Sequence, residues 1–168
     1  MRKRNTLVLT LLILSMILTS CVNENKGSKS QISLYPAYKK DQNKKLWGYI
    51  DANGDFKIEP KFQFAENFDE NGLAKVYNEG KMGLINENCE IVVPPIYDAI
   101  SNLNEDVMSA VQDNKYFILD KSGNILFSSS DYLFLGISSE GYISAAKKVD
   151  DDVKMGYIDK NGKELIKP

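Results

Sequence analysis

Short apolar runs alternate with polar turns along most of this chain, and the runs recur. Gly48-Tyr49-Ile50 is apolar and aromatic, Asp51-Ala52-Asn53-Gly54 is polar, and Phe56-Lys57-Ile58 alternates apolar with polar. Period-two alternation beside a turn predicts two half-buried strands joined as a hairpin. In the turn, Asp51 can accept main-chain hydrogen bonds and Gly54 permits positive φ. Pro60, lacking an N–H, is expected to end the second strand. Phe62 to Phe68 has apolar residues at 62, 64, 65 and 68, which suits either a short helical turn or an irregular bridge. Leu73-Ala74-Lys75-Val76 predicts a third strand, and Asn78-Glu79-Gly80-Lys81 a turn into the next unit.

Four copies of one motif carry this pattern: Trp47-Gly48-Tyr49-Ile50-Asp51, Met82-Gly83-Leu84-Ile85-Asn86, Tyr116-Phe117-Ile118-Leu119-Asp120 and Met155-Gly156-Tyr157-Ile158-Asp159. Gly48 and Gly83 are 35 residues apart, and Phe62, Tyr97 and Tyr132 keep that step. So do Pro60 and Pro95, Val76 and Val111, and Glu70, Glu105 and Glu140. The third copy slips by one residue around Tyr116 to Asp120, and the fourth follows an insertion near Val149 to Asp152. A recurring unit of this length is one supersecondary module, and an isolated hairpin is marginal until its apolar face packs on a neighbour. The expected fold is all-β: an array of two- or three-stranded antiparallel modules of about 35 residues. The units fall near 46–80, 81–114 and 115–152, with partial units at 34–45 and 153–168. The two partial units leave a closed ring or an open twisted array; so few units favour the open array.

The first 20 residues have a different character. Arg2-Lys3-Arg4 precedes an apolar run from Leu7 to Leu18, and small Thr19 and Ser20 precede Cys21. The run is too short to span a bilayer comfortably, and the order resembles a bacterial lipobox in which Cys21 is acylated after cleavage. Each buried acyl CH₂ contributes ~0.8 kcal/mol, so several chains give stable anchoring. Residues 1–20 are therefore expected to be a lipoprotein signal peptide, 21–33 a polar tether, and 34–168 the folded domain. The expected setting is extracytoplasmic, on a bacterial cell membrane or outer membrane.

Composition narrows the function. Net charge is −2, and removing a leader with three positive and no negative residues makes it −5. Such a surface has no general attraction for nucleic acid or anionic lipid. With Cys21 lipidated, Cys89 has no intrachain partner, so packing must stabilise the domain. There is no histidine, which excludes Ser-His-Asp triads, Cys-His dyads and His-based zinc sites within the chain.

Lys45-Leu46-Trp47-Gly48-Tyr49-Ile50-Asp51, followed by Gly54, Ile58, Pro60, Phe62, Ala65, Phe68, Gly72, Ala74 and Val76, resembles the WG-repeat family of bacterial β-repeat proteins. The likeness extends from Leu46 to Pro168. The second copy has Met82 for Trp and Cys89 for the turn Gly, and the third lacks both the Trp-Gly pair and the proline. The resemblance implies an all-β scaffold or interaction module, and no catalytic residue to carry over.

Asp51, Asp120 and Asp159 share one repeat position, but Asn86 holds it in the second copy, which points to turn formation and not to calcium. Asp150-Asp151-Asp152 reads as a solvated loop tip. Cys89 is expected to be an exposed thiol of ordinary pKa. The aromatic set of Trp47, Tyr49, Phe62, Tyr97, Tyr116, Tyr132 and Tyr157 is mainly core, with Trp47, Tyr49, Tyr97 and Tyr157 as ligand-facing candidates. The expected function is a non-enzymatic, membrane-anchored binding or scaffold module for an envelope protein or glycan, with no cofactor, metal or nucleic acid. The alternatives are a structural envelope protein without a specific ligand, or an envelope glycan hydrolase acting through two carboxylates.

Overall fold

The structure is a computed structural model that describes residues 33–41 and 44–168. The expected leader, Cys21 and all but the last residue of the tether lie outside the described residues. Among the described residues there are fifteen strands and no helix. They form four antiparallel meanders, each hydrogen-bonded in chain order. Sheet A holds β1 (Tyr35–Asp41), β2 (Lys44–Ile50) and β3 (Phe56–Phe62). Sheet B holds β4 (Phe64–Ala65), β5 (Leu73–Asn78), β6 (Lys81–Asn86) and β7 (Ile91–Tyr97). Sheet C holds β8 (Ala99–Ile100), β9 (Val107–Gln112), β10 (Lys115–Asp120) and β11 (Ile125–Ser129). Sheet D holds β12 (Tyr132–Ser139), β13 (Tyr142–Val149), β14 (Asp152–Ile158) and β15 (Glu164–Ile166).

Three core layers lie between consecutive sheets. Tyr49, Ile58 and Phe62 of sheet A meet Ala65, Ala74, Val76 and Ile85 of sheet B. Leu73, Leu84, Val93 and Tyr97 of sheet B meet Met108, Ala110, Phe117 and Leu119 of sheet C. Val107 and Ile118 of sheet C meet Leu135, Ile143, Ala145 and Ile158 of sheet D. Successive side chains on a strand point to opposite faces. Leu73 and Ala74, Leu84 and Ile85, and Ile118 and Leu119 are therefore each split between two layers. This explains why the inner strands read as continuous apolar runs: their sheets are buried on both faces. Among the described residues no core layer joins sheet D back to sheet A, so the array is open.

The sheets and the sequence units are out of phase. The chain leaves sheet A at Phe62 and enters sheet B at Phe64, with only Gln63 between. Asp98 alone separates β7 from β8 in the same way. The stretch after Phe62 is thus a corner between sheets with no helical turn, because Phe64 and Ala65 pair at once with Tyr77 and Val76. Both corner side chains also cap the next hairpin. Gln63 Oε1 accepts from the Glu79 N–H at 2.9 Å, and Asp98 Oδ2 accepts from the Asp113 N–H at 2.8 Å. Each capped turn has two consecutive residues at positive φ, Glu79-Gly80 and Asp113-Asn114, as two-residue hairpins require.

The Gly and Pro of the motif act as a pair. Trp47 faces Phe62 and Tyr49 faces Ile58, so Glu59-Pro60-Lys61 together oppose Gly48 as a bulge. A Cβ on Gly48 would lie 2.8 Å from the Pro60 nitrogen; on Gly83, 2.7 Å from that of Pro95; and on Gly156, 2.6 Å from that of Pro168. Pro60 therefore does not end its strand. It stands inside β3 at a bulge, where a missing N–H breaks no ladder bond. The third copy has neither residue. There Tyr116, Phe117 and Ile118 face Ser129, Ser128 and Phe127 one for one, and Phe117 packs edge-on against Tyr97 at 5.4 Å.

The one-residue slip lies earlier than the motif alignment places it. Val76 pairs with Ala65 and Gly83, whereas Ala110 pairs with Ile100 and Phe117. The counterpart of Val76 is therefore Ala110 and not Val111, and the missing residue belongs to the loop before β9. Glu105 in that loop ties sheet C to sheet D. It accepts from Ser138 Oγ at 2.5 Å and from the Glu140 and Gly141 amides at 2.6 and 3.0 Å. The Ser138 hydroxyl first, then the two amides, hold its carboxyl below the usual range.

Candidate functional site

The shared turn position is structural in every copy. Asp51 Oδ1 accepts from the amides of Asn53 and Asp55, Asp120 Oδ1 from Ser122 and Asn124, and Asp159 Oδ1 from Asn161 and Lys163. Asn86 Oδ1 makes the same two bonds, to Asn88 and Glu90, without a charge. Asp51 also reaches Lys57 Nζ at 3.0 Å, and that ammonium is the main reason its carboxyl titrates low. The left-handed residue of each turn is Gly54, Cys89, Gly123 or Gly162. Cys89 is exposed, with φ at 72°. Its thiol is not ordinary: partial burial pushes its pKa up, outweighing the pull of Lys61. Asp150 and Asp151 lie exposed in the turn between β13 and β14.

The ligand-facing candidates separate. Tyr49 is 0% exposed and Tyr97 4%, so both are core residues and offer no ring face to a ligand. Tyr49 packs with Ile58 and Phe62 in the layer between sheets A and B, and Tyr97 with Leu84, Val93 and Phe117 in the layer between sheets B and C. Tyr157 is exposed but lies on sheet D, pairing edge-on with Tyr142 at 6.2 Å. Trp47 is half-buried at the rim of the first core layer.

Trp47 belongs instead to a ladder of four rings that crosses from sheet A to sheet B. Tyr38 and Trp47 are directly paired, with centroids 5.1 Å apart. Trp47 meets Phe64 at 5.3 Å, and Phe64 meets its strand partner Tyr77 at 5.6 Å. Trp47 meets Phe64 edge-on at 69°, while the other two pairs are tilted at 52° and 57°. Tyr38 and Phe64 are nearly half exposed. Glu66 braces the ladder from below. Its main-chain carbonyl accepts from the buried Tyr49 hydroxyl at 2.7 Å, and its carboxylate accepts from the Tyr77 hydroxyl at 2.5 Å. Burial, and then the Glu66 carboxylate, push the Tyr77 phenol up to about 12. Lys45 Nζ lies 4.7 Å over the Tyr38 ring.

The same register positions continue the apolar rim along the array. Tyr77 pairs with Met82, Ala99 with Val111, Val111 with Tyr116, and Phe134 with Ala146. Phe64, Ala99 and Phe134 keep the 35-residue step. Between sheets C and D the rim widens to an open groove of about 510 Å³ lined by Ile100, Val111, Tyr116, Phe134 and Ile137. Tyr116 is fixed there by a hydrogen bond from its hydroxyl to the Leu133 carbonyl at 2.5 Å. Sequence reasoning singled out Trp47 of this rim as ligand-facing, placed Tyr116 only in the mainly-core aromatic set, and missed Tyr38, Phe64, Tyr77 and Phe134. The signal available was position: Phe64 and Phe134 each follow a buried aromatic, Phe62 or Tyr132, by two residues.

Stacked antiparallel sheets that recur with the motif, joined through one apolar rim, define a β-repeat module. The family model for the WG containing repeat matches residues 47–81, 82–117 and 155–168. The chain belongs to that family. The stretch from 118 to 154, which these matches leave uncovered, carries the irregular β10–β11 pair and the long β12–β13 hairpin. Comparison with curated proteins finds no match.

Proposed function

We propose that this WG-repeat protein is a non-enzymatic binding or scaffold module, held by an acylated Cys21 on the extracytoplasmic face of a bacterial membrane. Its ligand is an envelope protein or glycan, and the aromatic rim is where that ligand docks. The observation that carries the reading is the ladder Tyr38–Trp47–Phe64–Tyr77, whose rings stay partly open to solvent in a fold that buries Tyr49, Phe62, Tyr97 and Tyr132. Exposed aromatic area joined to a neighbouring apolar groove is the composition of a recognition surface. The anchor rests on the lipobox-like order of Leu18-Thr19-Ser20-Cys21 behind a basic and an apolar segment.

Photo-crosslinking in intact cells tests the docking surface. A crosslinker at Phe64 or Phe134 is expected to capture one defined envelope component, and one at Lys121 to capture none. Equal, diffuse labelling from all three positions overturns the reading. Lipid labelling that persists in Cys21→Ala overturns the anchor.

A further inference from the structure

Charge is distributed unevenly among the sheets. Residues 33–62 hold six lysines and four acidic residues, a balance of +2, whereas residues 63–131 hold four lysines and twelve acidic residues, a balance of −8. Two of the sheet A lysines are matched: Lys39 reaches Glu59 at 3.3 Å and Lys57 reaches Asp51 at 3.0 Å. Others gather where the β1–β2 hairpin meets the corner into sheet B. Lys44, Lys45 and Lys61 line an open hollow of about 530 Å³, with Gln63 at its side and Glu79 as its one carboxylate. Lys45 and Lys61 lie over the rings of Tyr38 and Phe62, at 4.7 and 5.2 Å. Lys40 is directly opposite Lys45 across the strand pair. Like charges facing each other across a ladder oppose pairing, so the fold gains nothing from this placement.

We propose that this lysine hollow binds the phosphate headgroups of anionic phospholipid, so that the array meets the bilayer through sheet A. The inference rests on the lipid anchor of the preceding section. Ser33 lies twelve positions beyond Cys21, a reach of at most ~40 Å when fully extended, so an acylated Cys21 keeps sheet A within that distance of the bilayer. Lysines within a Debye length of an anionic leaflet are attracted to it, while the acidic sheets B and C are repelled.

The test is co-sedimentation of the chain from residue 21 onward carrying Cys21→Ser, which keeps every described residue and removes acylation. Vesicles of phosphatidylcholine alone are compared with vesicles containing roughly one third phosphatidylglycerol. Binding to the anionic vesicles alone is expected, with its loss in roughly 0.5 M salt. The combined variant Lys40→Gln, Lys44→Gln, Lys45→Gln and Lys61→Gln is expected to weaken it by on the order of tenfold or more. Neutralising Lys154, Lys160, Lys163 and Lys167 instead, the same change in net charge on sheet D, is expected to leave it intact. Equal binding to both vesicles, no binding to either, or equal loss in both variants overturns the proposal. Capture of soluble polyphosphate without anionic vesicles overturns the bilayer as the source of the phosphate. Acylation plays no part in this assay, so failure of the anchor, read by lipid labelling of Cys21, is told apart from failure of the hollow.

Discussion

Gly48 lies so close beneath the bulge at Pro60 that a methyl group on it would sit 2.8 Å from the proline nitrogen. The obstacle is main chain, which cannot swing aside as a side-chain tip can. Gly48→Ala is expected to destabilise the domain by about 2 kcal/mol or more, as overpacking does. Gly80→Ala meets nothing within 4 Å and suffers only its left-handed backbone, so about 1 kcal/mol is expected there. Urea unfolding of both variants checks the order.

Cys89 carries the reverse strain. It holds φ at 72° where three sister turns have Gly. Cys89→Gly removes the clash between Cβ and carbonyl and is expected to stabilise by about 1 kcal/mol. The raised thiol pKa further predicts that alkylation of the native protein at pH 7 is slower than that of the urea-unfolded chain. Thiol labelling rates in and out of urea decide this.

Carboxylates that bridge sheets or turns make the fold acid-sensitive. Asp51, Asp98, Glu105, Asp120 and Glu164 all titrate below their ordinary values in the folded state. The unfolded chain therefore binds more protons at low pH, and stability falls as pH drops through the lowered values. The contribution is complete above the ordinary values of 3.8 for Asp and 4.5 for Glu. Glu105→Gln is expected to lower stability at pH 7 and to flatten the acid limb. Urea midpoints at pH 3, 5 and 7 show whether it does. The raised lysines 57, 81 and 147 act at the other end, their contribution being lost only as pH rises past 10.5.

Trp47, the one tryptophan, reports on the rim directly. Ligand docking over the ladder is expected to change its emission. Phe64→Ala is expected to lower affinity at least tenfold while the far-ultraviolet dichroism stays that of the parent. A partner that still binds the Phe64→Ala and Phe134→Ala double variant at full affinity docks elsewhere.

Turns and register were the legible part of this chain. Asp and Gly three residues apart repeat a local hydrogen-bond pattern, and local patterns are written in adjacent residues. The 35-residue step likewise placed Phe62, Tyr97 and Tyr132 at equivalent positions, all of them buried. Pro60 misled because its missing N–H says that a bond is absent, not whether the strand continues past it. Tyr49 and Trp47 share a strand face and differ in burial because Trp47 stands at the rim, a distinction that depends on where the next sheet begins. The ring ladder was hidden for the same reason: Trp47 and Phe64 belong to different sheets, and only the corner at Gln63 brings them together.

The corners at Gln63 and Asp98 make length an adjustable property. At these two corners one sheet hands the chain to the next across a single residue, and a hairpin of the next sheet caps itself on that residue. Duplicating the stretch from one corner to the next would add one sheet, one core layer and one segment of rim, with every existing hydrogen bond left in place. Selection can thus lengthen or shorten such an array by counting copies, without redesigning any of them.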